Sequence, residues 1–234
     1  MTSTTGGVVP ARRRGLAEEV ADSIREAIFG GRYAPGAQLR EVELSRALEV
    51  SRGPVREALL RLEREGLVRS TWHRGTTVTT LSPDDVAELD SLRGALEQLA
   101  VTRVVEVATD ADLAAIENAA SQMSRAPDPH TMVRHDIEFH DAVYAAARHT
   151  RLADAWTAIR SQVYLFLLTR IGVSTADYLP QIPAEHRELA AALRARDVEA
   201  ALALFAVHRR HAFEVLTTGP DTASQYRSAP STSR

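Results

Sequence analysis

Apolar residues recur at every fourth position near the start of the chain, at Leu16, Val20, Ile24 and Ile28. That spacing predicts an amphipathic helix, which Gly30-Gly31 ends. "YAPGAQL" reads as a turn, because Pro35 presets φ and Gly36 supplies freedom. A short helix follows over residues 41–48. A third helix starts at Ser51, a favourable N-cap residue, and runs to about residue 65, where Gly66 stops it. The period then changes: "LVRSTWHRGTTVTTL" predicts two short strands around a turn at residues 73–75. "SPDD", from Ser82, starts a new helix. Beyond it the periodicity is helical throughout, with breaks near 109–110, 126–129, 149–150, 172–174 and 180–183. That makes about six helices and no strand.

Two short helices, a tight link at "LEVS", a longer helix and a hairpin predict a winged helix-turn-helix over residues 12–81. An all-α bundle is expected over 82–216, so the fold class is mainly α. Residues 1–11 and 217–234 are small and polar and are expected to be disordered tails. In "SRGPVREALLRLERE" the inward face is Val55, Ala58, Leu59 and Leu62. Arg52 and Arg56 lie one turn apart, off that face and near the helix N-terminus. A recognition helix presents that end to base edges, and the guanidinium fork suits guanine. Gly53 permits close approach of another backbone. The wing carries Arg69, His73 and Arg74, and Arg12, Arg13 and Arg14 could form an electrostatic arm. An isolated R-x-x-x-R is more often a solvated helix face. Its place at the start of the third helix, just before a hairpin, favours double-stranded DNA.

Composition narrows the classes. The chain has 234 residues, 44% hydrophobic and 25% charged, as in ordinary globular proteins. It contains no cysteine, which excludes disulfides and thiolate metal sites and fits a reducing cytoplasm. There is no membrane-length apolar run and no signal-peptide core. The net charge of −3 gives no global sign of nucleic acid, although residues 1–80 hold more Arg than Asp plus Glu.

The chemistry of the second half rests on helix faces. In "VRHDIEFHDAVYAA", a 100° wheel centred on His140 puts Val133, Ile137, Tyr144, Ala147 and Asp136 on one stripe, with His135 opposite. A buried carboxylate needs a cation, a metal or several donors. His186 shares a stripe with Leu189, Ala190 and Leu193, and His208 with Ala201, Leu204, Phe205, Ala212 and Val215. Two readings stay open. The histidines could be satisfied core residues, with Asp136 and His140 a simple pair. Alternatively, one carboxylate and three imidazoles facing inward form an N₃O site for a divalent transition metal. Zinc is the first choice, with nickel, manganese or iron as alternatives.

"YAPGAQLREVELSRALEVSRGPVREALLRLEREGLV" followed by "HRGTTV" resembles the DNA-binding domain of the GntR transcription regulators. The resemblance implies a homodimer on a pseudo-palindromic operator. Arg52 and Arg56 would touch bases or phosphates, with Ser51 and Gly75 near the backbone. Glu49 stands where that family usually has glycine. "DIEFH" with "EHRELAAALRARDVEAALALFAVH" is similar to the FCD effector domain of the FadR subfamily, in its six-helix form. That implies Asp136, His140, His186 and His208 as metal ligands and a small carboxylate effector. Through "RGALE" it implies Arg93 as the effector's grip. The function expected is a ligand-responsive repressor, not an enzyme. The rival is a metal-dependent hydrolase fused to a DNA-binding module, invited by "RHD" and "HDA". Against it, the pattern leaves no inward carboxylate near the four ligands to act as a general base.

Overall fold

The computed structural model describes residues 14–73, 75–173 and 180–217. What the sequence predicts for the two tails, for Arg12 and Arg13, and for Arg74 lies outside these residues, except that Thr217 is helical.

Helix α1 (Arg14–Phe29) buries Val20, Ile24 and Ile28 against α3 (Arg52–Arg64), but Leu16 stays 43% exposed, so the four-residue repeat overstates its inward face by one position. Between them lies α2 (Glu41–Ala47). Strands β2 (Val68–Thr71) and β3 (Gly75–Val78) form the predicted antiparallel hairpin. A third strand, β1 (Gln38–Leu39), pairs with β3, giving the order β1-β3-β2. Two residues are too short to show a period, so sequence reading saw only the turn. Glu49 adopts φ 53, the left-handed conformation that a glycine would take without strain. The turn is kept and a small local cost is carried. Ser51 sits at the N-cap of α3 with extended backbone, yet its side chain makes no cap hydrogen bond.

The rest is helical: α4 (Pro83–Val107), α5 (Asp110–Met123), α6 (Pro129–Ala146), α7 (Thr150–Val173), α8 (Ile182–Ala195) and α9 (Val198–Thr217). The start of α4 is fixed by a reciprocal capping box between Ser82 and Asp85, and α5 by the same device between Thr109 and Asp112. His149 accepts a hydrogen bond from Leu152 N through Nδ1 (3.2 Å), so its ring caps α7. The break between α8 and α9 went unread because neither Gly nor Pro marks it. Arg196 takes φ 57 there and donates to Val105 O (2.6 Å) and Ala108 O (2.7 Å).

Helices α4, α6, α8 and α9 surround the polar cluster of interest, with α4 and α6 also packed on α7. Helix α6 additionally reaches the first part of the chain. Arg134 pairs with Glu26 of α1 (2.9 Å), and beside it Phe29 stacks on Tyr164 of α7 with ring centroids 3.6 Å apart. No described helix is long and apolar enough to cross a membrane.

Candidate functional site

Helix α6 carries Asp136 and His140 on its inner face, where four-residue spacing stacks them one turn apart. Helix α8 presents His186 beside buried Leu189, Ala190 and Leu193. Helix α9 presents His208, flanked by Phe205 and Ala212. All four polar groups are buried. The structure gathers the three imidazoles so that one nitrogen of each lies within 4.8 Å of the others. Asp136 adjoins two of them, with Oδ1 3.6 Å from His140 Nε2 and Oδ2 3.5 Å from His186 Nε2.

Each ring's orientation has a cause. His186 Nδ1 donates to Ile182 O at 2.9 Å, and His208 Nδ1 donates to Glu185 Oε2 at 2.9 Å. A proton held on Nδ1 leaves the Nε2 lone pair free, the usual outer support of a metal-binding histidine. Asp136 Oδ1, His140 Nδ1 and His186 Nε2 are buried without a hydrogen-bond partner. Such orphans are rare in packed interiors and suit an atom that binds something else. The donor set therefore fits a divalent ion, on one condition. His140 Nε2 accepts a hydrogen bond from Arg93 Nη2 at 2.8 Å, so that guanidinium has to leave the lone pair before His140 can ligate.

Arg93 is brought to the cluster, as the sequence expectation requires, but it arrives with a partner. Its Nε donates to Glu97 Oε1 at 2.7 Å, and both side chains are 4% exposed. Glu97 Oε1 also lies 3.7 Å from His140 Nδ1, and Glu97 Oε2 lies 3.6 Å from Arg209 Nε. The expectation that no inward carboxylate remains near the four ligands is thus wrong. Glu97 is one, and Glu185 is a second, partly exposed. Glu97 shares the stripe of Arg93 four residues on, a signal that was available. Glu185 precedes His186 by about 100° around the helix, so a wheel centred on the histidine turns it away. Glu97 already faces two arginines, Arg93 at 2.7 Å and Arg209 at 3.6 Å.

Burial favours the neutral form at two of the imidazoles, His140 and His208. Burial pushes His208 down to about 4, helped by the neighbouring His186 and opposed by the Glu185 bond. Burial, then the Arg93 charge, holds His140 well below the usual histidine range. For Asp136, burial works to raise the carboxyl, but His186, His140 and His208 outweigh it and hold it low. Burial lifts Glu97 against the pull of Arg93 and Arg209. Neutral imidazoles and an ionised carboxylate are the forms that bind metal.

The second candidate surface lies on α3 and the wing. Ser51, Arg52, Gly53, Arg56, His73 and Gly75 are all exposed. A Cβ at Gly53 would meet nothing within 4 Å, so the protein's own packing does not require glycine there. Gly75, with φ 78, closes the wing turn. Arg56 is already gripped in a fork by Glu41 of α2, at 3.1 and 3.3 Å. The sequence reading did not single out Glu41.

Comparison with known proteins matches residues 16–78 to the bacterial regulatory proteins of the gntR family and residues 88–211 to the FCD domain. YdhC of Bacillus subtilis, an HTH-type transcriptional regulator, is 28% identical over 200 residues, covering 83% of this chain and 88% of that one. A protein of Paenarthrobacter nicotinovorans, named for transcriptional repression of a D-xylose utilization operon, is 31% identical over 194 residues, covering 81% and 83%. The crystal structure of a GntR transcriptional regulator from Rhodococcus sp. RHA1 superposes with a TM-score of 0.76 at 26% identity, covering 87% of this chain and 99% of that one. The winged domain, the helical bundle and these likenesses agree: the chain belongs to the GntR family and is a DNA-binding transcription regulator with an FCD domain, not an enzyme.

Proposed function

We propose that the chain is a repressor whose helical domain senses a small organic acid through a bound divalent transition metal, zinc before nickel, manganese or iron. Asp136, His140, His186 and His208 are the ligands. Residues 12–81 form the DNA-binding domain and 82–216 the sensor. Two chains pair as a homodimer on a pseudo-palindromic operator. The contacts fall to Ser51, Arg52, Gly53, Arg56, His73, Arg74 and Gly75.

One observation carries the sensor reading. Three buried imidazoles come from three helices, and two of them are locked by outward Nδ1 bonds to Ile182 O and Glu185. A plain core histidine has no need of two like neighbours whose free lone pairs face it. A bound ion would supply a localised positive charge for a carboxylate. The chain's own residues do the rest. Glu185 and Ile182 hold tautomers, and the surrounding apolar side chains exclude water. Arg93 sits on His140 and Glu97, and an arriving carboxylate takes over part of its fork, as planar bidentate recognition favours. An effector shifts DNA affinity only through different affinities for two arrangements of the protein.

The test is elemental metal analysis of protein purified without chelator, beside His208→Ala, each repeated after metal is added back. About one ion per chain in the parent, lost in the variant, is expected. Absence from both after add-back returns the cluster to an ordinary histidine core.

A further inference from the structure

Trp72 is 86% exposed, whereas every other exposed large hydrophobic residue described lies between 42% and 49%. Tryptophan is normally kept inside by its large apolar area, and the chain's other one, Trp156, is 3% exposed. Trp72 stands at the tip of the β2–β3 hairpin, in the turn closed by the Thr71↔Gly75 pair. Its recorded ring contact is an edge approach to His73, with centroids 5.1 Å apart. Strand β2 is one of the two edge strands of the sheet, and Arg69, Ser70 and Thr71 are exposed along it. An indole held out on a turn, on a hairpin carrying Arg69 and His73 beside the recognition helix, points to an occupant outside the chain. The charge on the hairpin and its continuity with α3 make that occupant the same DNA duplex.

We infer that Trp72 reads the minor groove flanking the operator core and favours A·T pairs there. With α3 in the major groove, the groove next along the duplex is the minor one. Apolar side chains wedge against base steps in that groove. The indole N–H is a donor and never an acceptor. At an A·T pair the minor-groove floor offers only acceptors, adenine N3 and thymine O2, whereas guanine adds an N2 amino donor. A donor-only ring therefore fits A·T and meets a competing donor at G·C. Inosine lacks that amino group, so I·C presents the same acceptor floor as A·T. This inference draws on the DNA binding of the family and is independent of the metal reading.

The experiment uses the full chain and a duplex selected with it from a randomised library. Each flanking A·T pair is replaced in turn by G·C or by I·C. The parent is expected to bind the G·C duplex about tenfold more weakly than the I·C duplex at the sensitive pair, the size of one lost base contact. Trp72→Ala should bind both within about twofold of each other, with the salt slope unchanged because no phosphate contact is removed. Its thermal melt should match the parent, since the ring is already in water. Acrylamide should quench the exposed indole less once duplex is added. Equal binding of the two duplexes by the parent overturns the inference. So does a Trp72→Ala variant that still discriminates, or an indole that stays fully quenchable in the complex. A variant that changes self-association but not DNA affinity also overturns it and makes the wing tip a subunit contact.

Discussion

Removing Arg93 should destabilise the helical domain far more than a surface arginine would. Arg93 and Glu97 are 4% exposed and 2.7 Å apart, so Arg93→Ala strands a buried carboxylate whose next cation, Arg209 Nε, is 3.6 Å away. Breaking a buried pair from one side costs about 3–5 kcal/mol. The variant also removes the donor to His140 Nε2. With a urea slope of about 1.5–2 kcal/mol/M, the helical-domain midpoint should fall by about 2 M. The assay is urea unfolding followed by helical circular dichroism, in chelator and at fixed protein concentration, so that bound ions and association do not shift the result. The pH dependence has a definite sign. Glu97 is already raised by burial, and losing Arg93 raises it further. A folded-state pKa above the unfolded value means the folded protein binds the extra proton, so stability is gained below it and lost as pH rises through it. The gap between variant and parent should therefore narrow from pH 7 to pH 5. Adding Glu97→Gln should recover a large part of the loss. A variant within 1 kcal/mol of the parent at pH 7, or a double variant no better than the single, would refute the buried-pair reasoning.

Two further outcomes are expected. Glu185→Gln keeps the shape beside His208 but removes the charge that orients it, so affinity for added zinc should drop about 10–100-fold in a chelator competition. Parent-like affinity in that variant would reduce Glu185 to a helix-surface residue. Arg56→Ala should weaken binding to the selected duplex and lower the salt slope by about one if it meets a phosphate. An unchanged affinity measured by fluorescence anisotropy would remove Arg56 from the interface.

Residues whose environment follows from their own helix were legible in the sequence. Val55, Ala58, Leu59 and Leu62 on α3, and Ile137, His140 and Tyr144 on α6, are buried as the 3.6-residue period requires. The three histidines converge because three stripes of this kind face one core. What depends on a neighbouring element was not legible. Glu185 belongs to the cluster only because α9 places His208 2.9 Å away, and Glu41 reaches the candidate DNA-binding surface only because α2 crosses near Arg56. Strand β1 exists because β3 offers it an edge, and Arg196 ends α8 by reaching the carbonyls at the end of α4. Leu16 shows the converse: it repeats correctly, yet it stays 43% exposed.

Helix α6 has a mechanical consequence. Arg134, bonded to Glu26 of α1, and Asp136, in the imidazole cluster, are two residues apart on one unbroken helix. Two residues are about 200° of turn and about 3 Å of rise, so the two anchors sit on nearly opposite sides of one rod. Such a rod works as a crank. It cannot roll on its inner bearing without swinging its outer pin, and no loop between them takes up slack. A ligand that turned the inner face of α6 would move Arg134 against Glu26 of α1.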